Sequence, residues 1–274
     1  MRAHVFIPLM ALVVVACSPS GGQADDRAAP GPHPAVPAGQ AKSVQAELLM
    51  EQLENGANPV IASYREAVTR CGEAGWPIKP LSDDQVAKLG TRRIELAVDA
   101  GHRLARGTEW RWKSPGEPHE ALCQFEFVES VREDYADGRV IGYTGDDESA
   151  RWQEEPGDPA VLEVAITEVD YAADEALGWR RETMSQTAGQ ACTWWRNTQG
   201  ERVCMWTSGM GLGFAPNPSP RCVTDPAEAF LKGLPLSQQP GNGTGCRITT
   251  KSMSVGAALS PAALVLKTRG GTIQ

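Results

Sequence analysis

Four ionisable residues have the types and spacing that general acid–base chemistry needs. They are Glu95, Asp99, His102 and Arg106. Their spacings of three, four and seven positions would place all of them on one face of a helix. A carboxylate on that face could orient the imidazole of His102, as a general base requires. The alternative, which the sequence favours, is a solvated charged face.

Other catalytic and metal-binding motifs are weak. Two of the four histidines, His102 and His119, fall in the predicted folded region, and neither has a G-x-S-x-G or S-x-x-K motif beside it. The glycines of residues 209–213 have the wrong spacing for a dinucleotide loop and are followed by prolines, which predicts a flexible loop. Residues 117–120 offer Glu, His and Glu, but adjacent loop residues seldom converge on one ion. We therefore expect no cofactor and no metal site.

The amino-terminal residues have the composition of a signal peptide. After the charged Arg2, residues 5–16 form an uncharged apolar run that only Pro8 interrupts. A run of this length is too short to cross about 30 Å of hydrocarbon as a helix. It ends at Val14-Val15-Ala16-Cys17.

This ending resembles the lipobox of bacterial lipoproteins, and the resemblance covers the first seventeen residues. It implies that Cys17 receives a diacylglycerol, that the preceding peptide bond is cut, and that the new amino group is acylated. Two or three acyl chains make such an attachment durable. Because Ser18 rather than Asp follows the cysteine, the resemblance also implies sorting to the outer membrane, facing the periplasm, with the inner membrane or the cell surface as the alternatives. An ordinary secretory signal with a chance cysteine is the alternative.

The cysteine count agrees with this interpretation. Seven cysteines are an odd number for an exported chain, and setting Cys17 aside leaves six that can form three disulfides in an oxidising compartment. Residues 192–196 and 202–206 have the pattern of two strands around a Gly200 turn, and a register in which paired numbers sum to 396 places Cys192 opposite Cys204. A metal site is the alternative, but the zinc-type spacings are missing. Nearest-neighbour order suggests the other two pairs: Cys71 with Cys123 and Cys222 with Cys246.

Composition divides the chain into a signal peptide (1–16), an acylated cysteine with a Pro/Gly/Ala-rich tether (17–42) and a globular domain (43–274). Residues 43–115 are predicted to be helical. The first helix rests on Val44, Leu48, Leu49 and Leu53, the second begins at Asn58 and Pro59, and the third begins at a Ser82/Gln85 capping box with an apolar stripe that reaches Leu104.

Residues 116–274 are predicted to be rich in antiparallel strands. The alternating or β-branched segments are 123–127, 140–143, 162–166, the 192–204 hairpin and 247–255, with a turn at Asp137-Gly138 and a short helix opening at Asp225. The predicted fold class is therefore α+β: amino-terminal helices followed by a disulfide-stapled antiparallel sheet.

The hairpin has the most unusual local composition, and we identify it as a candidate interaction surface. Exposed tryptophan beside arginine is typical of protein interfaces and carbohydrate platforms. In the predicted register Trp194 and Arg202 share one face and Trp195 lies on the other. The alternative is that other elements cover both faces. The candidate residues are Trp194, Trp195, Arg196, Arg202 and Trp206.

Net charge narrows the possible partners. Loss of Arg2 with the signal peptide leaves 25 basic and 34 acidic side chains, close to −9. Nothing in such a body suggests nucleic-acid binding, and we expect no electrostatic adhesion to an anionic membrane, so the lipid anchor must supply membrane attachment. We expect a non-catalytic envelope protein that binds a protein or cell-wall partner, of which an inhibitor or immunity lipoprotein against a basic target would be a special form. A periplasmic hydrolase that uses His102 or scattered carboxylates is the alternative.

Overall fold

A computed structural model describes residues 43–99, 103–114, 123–135, 140–144, 153–154, 169–218, 233–267 and 271–272. All of them belong to one compact unit, Ala35–Gln274. The described helices are α1 (Pro59–Glu73), α2 (Asp83–Val86) and α3 (Tyr171–Ala176). The described strands are β1 (Ser43–Leu53), β2 (Thr91–Asp99), β3 (Arg103–Lys113), β4 (Glu126–Tyr135), β5 (Val140–Thr144), β6 (Gln153–Glu154), β7 (Arg180–Thr187), β8 (Gln190–Arg196), β9 (Arg202–Trp206), β10 (Pro235–Gln239), β11 (Gly245–Val255), β12 (Val265–Leu266) and β13 (Gly271–Thr272).

Eleven of these strands form one antiparallel sheet, in the order β6-β5-β4-β3-β2-β1-β11-β10-β9-β8-β7. Two meanders, β1–β6 and β7–β11, pair their strands in chain order, and the long β1–β11 pair joins them. Strands β12 and β13 make a separate ribbon. The fold is therefore dominated by antiparallel sheet with few helices, and the predicted disulfide-stapled antiparallel sheet is confirmed. Within residues 43–115, however, strands β1–β3 replace much of the predicted helical region.

The first predicted helix is strand β1. Val44, Ala46, Leu48 and Met50 are buried at alternate positions, which is the strand period of two. Val44 and Leu48 fit both the helical spacing and this alternation, which concealed the strand. Because β1 pairs with β2 on one side and β11 on the other, its backbone groups are satisfied by the sheet.

The second predicted helix is confirmed as α1. The Asn58 side chain accepts hydrogen bonds from the backbone N–H groups of Val60 and Ile61 at 3.0 and 3.2 Å, and Pro59 begins the helix. Its buried face presents Tyr64 and Cys71 to a small core. This core also contains Leu81, Leu89, Cys123 and Phe125.

The third predicted helix is present only as a single turn. The Ser82/Gln85 capping box forms as predicted, but α2 ends at Val86, and Gly90 with a φ of 66° leads into β2. In β2 the side chains of Ile94, Leu96 and Val98 are buried at alternate positions. The predicted apolar stripe is thus divided between α2, β2 and β3.

Several other predicted elements can be compared with the structure. The segment 140–143 lies in β5 and the segment 247–255 lies in β11, as predicted. In the segment 123–127, Gln124 forms an isolated bridge with Lys79 before β4 begins at Glu126. The Asp137-Gly138 turn, the strand at 162–166 and the helix at Asp225 lie outside the described residues.

The two faces of the sheet bury different clusters. The main core joins alternate residues of β1 and β2 to residues of β8–β11, and Leu212 and Phe214 of the segment after β9 complete it. On the opposite face, Ala97 and Leu104 pack with Tyr135 beneath Leu266. The carboxy-terminal segment therefore covers part of the face that the main core leaves open.

Candidate functional site

Strands β8 and β9 form the predicted hairpin, with a register that differs from the prediction by two residues. Trp194 pairs with Cys204 and Arg196 with Arg202, so paired numbers sum to 398 rather than 396. The loop contains residues 198–200, and the N–H of Asn197 donates to the carbonyl of Glu201 at 3.0 Å. Gly200, with a φ of 83°, is the last residue of the loop. The first cross-strand residue pair after the loop therefore lies one position further along β9 than the prediction placed it. A shift of two positions leaves each side chain on its predicted face.

Two of the predicted disulfides are confirmed. Cys71 and Cys123 are bonded with Cα atoms 5.9 Å apart, and Cys192 and Cys204 with Cα atoms 5.4 Å apart. In the observed register Cys192 lies diagonal to Cys204, since its direct partner is Trp206. Cys246 is also disulfide-bonded. Its predicted partner Cys222 lies outside the described residues, as does the lipidation site Cys17.

The structure buries two of the three candidate tryptophans. Trp195 is inaccessible to solvent beneath α3, and its ring centroid lies 5.6 Å from that of Tyr171. Trp206 is equally inaccessible, 5.5 Å from the ring of Phe214. The alternative of cover on both faces is therefore correct for these two residues. Trp194 is partly exposed and lies on the face that includes Arg196 and Arg202.

Three arginines stand side by side on this face. Arg180 of β7 is directly opposite Arg196 of β8, and Arg196 is directly opposite Arg202 of β9. We call these three residues the arginine row. Adjacent strands are about 4.8 Å apart, so the row extends over about 10 Å. Like charges in direct opposition destabilise a sheet, and here they occur in a chain whose net charge is −8.

One carboxylate partly offsets the row. Glu182 Oε1 lies 2.7 Å from Arg196 Nε, and Glu182 Oε2 accepts from Arg202 Nη2 at 2.7 Å and Nε at 3.0 Å. The β7–β8 register shifts between Arg181 and Met184, and Glu182 lies within this irregularity, a device that redirects side chains. Among the described residues, Arg180 has no ion-pair partner.

Trp194 holds the far end of the row. The Arg202 guanidinium carbon lies 4.7 Å from the Trp194 ring centroid, a cation–π distance. Arg202 is thus fixed by a ring on one side and a carboxylate on the other, while its side chain stays 33% exposed and that of Arg196 stays 52% exposed. Fixed, accessible guanidinium groups are suited to bidentate recognition of carboxylate or phosphate. The one carboxylate among these residues, Glu182, is paired with both Arg196 and Arg202.

A second charged region lies on strands β2–β4, on the other side of the central β1–β11 strand pair. Glu95, Arg106 and Glu133 are directly opposed on β2, β3 and β4. Arg106 Nε lies 2.5 Å from Glu133 Oε1, and both side chains are almost completely buried. The Arg106 guanidinium also donates to the carbonyl oxygen of Val265.

Lys267 completes this group, which we call the carboxy-terminal latch (Glu95, Arg106, Glu133 and Lys267). The backbone N–H of Lys267 donates to Glu133 Oε1 at 3.0 Å, and its Nζ lies 3.2 Å from Glu95 Oε2. The latch therefore holds the carboxy-terminal segment on the sheet. A polar cleft of about 240 Å³ remains between the two, and its lining includes Glu47 and Ser260.

The predicted acid–base face does not exist as a helix. Glu95 and Arg106 do lie next to each other, but as cross-strand partners in the latch, with side-chain atoms 3.6 Å apart. Asp99 ends β2. His102, His119 and residues 117–120 lie outside the described residues.

Sequence reasoning missed Arg180, Glu182, Glu133 and Lys267. A signal for the latch was available, because Arg106 lies among small or apolar residues of β3 and Glu133 alternates with Val131 and Tyr135 on one face of β4. A signal for the row was not, since β7 contains mostly exposed polar residues without a clear period.

The described part of the chain contains no group of three or more His, Cys, Asp or Glu side chains placed to hold a metal ion. Nor does any helix described here have the length and apolar composition needed to cross a bilayer.

Comparison with known proteins gives no family. No protein-family model matches the sequence, and no curated protein is significantly similar to it. The inference of function therefore depends on the residues of this chain.

Proposed function

We propose that this chain is a lipid-anchored, non-catalytic binding protein of the bacterial cell envelope, and that it recognises a partner protein through the arginine row. The observation that carries the proposal is the row itself: three directly opposed arginines, of which two are held in place by Glu182 and Trp194. Directly opposed like charges do not stabilise a sheet, so the fold alone does not account for the row.

The proposed location of the protein in the cell envelope depends on the amino-terminal sequence. The Val14–Cys17 resemblance supports acylation of Cys17 and an outer-membrane site facing the periplasm. Buried disulfides such as Cys192–Cys204 fit an oxidising compartment. A 25-residue tether of this composition spans about 28 Å as a coil and up to about 78 Å when extended. That reach would let the arginine row meet a partner well away from the lipid surface.

The chemistry of the row favours binding over catalysis. The arginine guanidinium group offers hydrogen-bond donors and no acceptor, and tryptophan has no ionisable group. Arg and Trp are also the residues that most often dominate the free energy of protein interfaces. The hydrolase alternative depends on His102 and His119, and we expect His102→Ala/His119→Ala to leave partner binding unchanged.

Site-specific photo-crosslinking in intact cells tests the proposal. Gln239 is exposed and pairs with Arg202, so a photoreactive residue at position 239 extends the row without replacing an arginine. Arg65, which is exposed on α1, is the matched control position. We expect a discrete crosslinked protein from position 239 and none from position 65.

The arginines are then removed in the same experiment. Arg196→Ala/Arg202→Ala is expected to abolish the crosslink from position 239. Arg65→Ala/Arg70→Ala removes two positive charges from α1 and should leave it intact. Equal crosslinking from both positions, or persistence of the crosslink in the Arg196/Arg202 variant, would show that the partner does not bind at the row.

A further inference from the structure

The arginine row contains two neighbouring arginine pairs with unequal charge balance. Arg196 and Arg202 share the carboxylate of Glu182, with contacts of 2.7 to 3.0 Å. Arg180 and Arg196 are also direct cross-strand partners, but no carboxylate of the described residues lies near Arg180. Glu182 therefore shows within the molecule how this sheet face holds a carboxylate between two guanidinium groups.

From this repetition we propose that the row binds an acidic segment of the partner protein, with one of its carboxylates bridging Arg180 and Arg196 as Glu182 bridges Arg196 and Arg202. The inference rests on the proposed function and names the chemistry of the partner. Arg180 and Arg196 are both exposed, so an incoming carboxylate meets no steric cover from the described residues. Charge-assisted bidentate contacts are among the strongest that a surface can offer.

The local charge favours this ligand although the whole protein is acidic. The four residues Arg180, Glu182, Arg196 and Arg202 have a net charge of +2, against −8 for the entire chain. Arg181 points to the other face, where its guanidinium lies 4.6 Å from the Tyr171 ring, so it adds nothing to the row. At this face, the partner's matching surface is negative, in contrast to the basic target that the overall charge suggested.

A membrane surface is the less favourable ligand. Attraction of a protein to anionic lipid needs a broad basic cluster of about four to eight Lys or Arg residues. The row has three, one of them neutralised by Glu182, on a protein that anionic lipid repels as a whole. Short-range contacts to a few carboxylates suit so small a group of charges better.

Peptide binding to the purified acylated protein in detergent tests the inference. The probes are a 12-residue peptide of alternating Glu and Ser, its Gln/Ser counterpart, and glycerol 3-phosphate as the soluble headgroup of an anionic lipid. We expect the Glu peptide to bind and the Gln peptide not to bind. Arg180→Gln should weaken binding at least about threefold, whereas Arg65→Gln, a matched loss of one exposed charge, should not.

Glu182→Gln gives the more specific result. It removes the internal carboxylate and frees Arg196 and Arg202, so the Glu peptide should bind more tightly than it binds to the wild type. A purely structural role of Glu182 would predict weaker binding instead, because the row would lose its support. Weaker or unchanged binding in this variant overturns the inference.

The remaining outcomes separate the two proposals. Binding of glycerol 3-phosphate without binding of the Glu peptide would assign the row to anionic lipid headgroups and overturn the inference. A crosslink from position 239 that Arg180→Gln leaves intact would agree with the proposed function but contradict binding of an acidic segment at Arg180 and Arg196. Peptide binding without any crosslinked protein in cells would contradict the proposed function while keeping carboxylate recognition.

Discussion

The arginine row and the carboxy-terminal latch use the same side chains in opposite environments. In the latch, Arg106 lies between Glu95 and Glu133, and the Arg106–Glu133 pair is 5% and 0% exposed. In the row, Glu182 lies between two arginines that are 52% and 33% exposed. The charge balance also differs, because the latch contains two acids and two bases and the row has an excess of bases.

This difference shows how burial changes the role of an arginine–glutamate ion pair. In the latch, every charge is committed to another part of the same chain, so breaking the pair would leave a desolvated charge behind. In the row, water and salt screen the charges, and losing one changes the free energy of unfolding little. The latch is therefore structural, while the row remains available to a ligand.

Arg106→Ala should have the largest effect on stability. Removing one member of a buried pair leaves Glu133 uncompensated, which typically costs about 3–5 kcal/mol of unfolding free energy. Urea denaturation of the soluble domain measures the loss. Arg106→Met/Glu133→Leu replaces the pair by apolar residues and should lie close to the wild type. A single variant as stable as the double variant would contradict the buried ion pair.

Removal of the hairpin disulfide should have the next largest effect. The bond closes a separation of 12 residues, and Cys192→Ala/Cys204→Ala should cost about 3 kcal/mol by loop-closure entropy. Because this bond lies on the hairpin that carries Arg196 and Arg202, the position-239 crosslink should also weaken. Cys71→Ala/Cys123→Ala is the control, since it should reduce stability at least as much and spare the crosslink.

Arg202→Ala tests the row directly against the latch. The same change that is expected to be severe at position 106 should cost at most about 1 kcal/mol here, because the pair with Glu182 is exposed. Urea denaturation at low and high salt should show the small loss shrinking as salt rises. A loss as large as that of Arg106→Ala would mean that the row is a structural device.

Asp174 of α3 should have the smallest and most pH-dependent effect. Burial raises the pKa of its carboxyl, the nearby Asp170 raises it further, and a 2.7 Å hydrogen bond from Asn217 opposes both. The folded state thus holds the proton more tightly than the unfolded state. The contribution of Asp174 to stability is therefore present at acidic pH and is lost as pH rises through the folded-state pKa.

The measurement compares Asp174→Asn with the wild type in urea at acidic and neutral pH. The variant should gain stability relative to the wild type as pH rises. Glu175→Gln, an exposed change on the same helix, should show no such trend. A difference between wild type and Asp174→Asn that is constant with pH would contradict the buried carboxylate.

Local signals predicted local structure well. The Asn58 cap, the Ser82/Gln85 box and the Gly200 turn each depend on contacts within a few residues, and all three are present. The disulfide Cys192–Cys204 followed from the hairpin. The predicted register was wrong because Gly200 lies at the end of the loop rather than within it. This position shifts every cross-strand residue pair along one strand of the β8–β9 hairpin.

Long-range structure was beyond the sequence. The Leu48, Leu49 and Leu53 spacing matches a helix as well as a strand, and the choice is made by β2 and β11 on either side of β1. Glu95 and Arg106 were expected to share one face of a helix, and instead they are direct cross-strand partners in a hairpin. Glu133 is 134 residues from Lys267, whose backbone it binds, and no local pattern reports such a contact.

The β1–β11 pair gives the protein a late step in its assembly. Val44 near the start of the domain faces Val255 near its end, in the middle of the sheet. A chain that emerges amino terminus first must therefore keep one side of β1 uncovered until almost all of the domain has been delivered. An unpaired strand edge is a site for aggregation and proteolysis, so a prematurely terminated chain would be an easy target for envelope quality control.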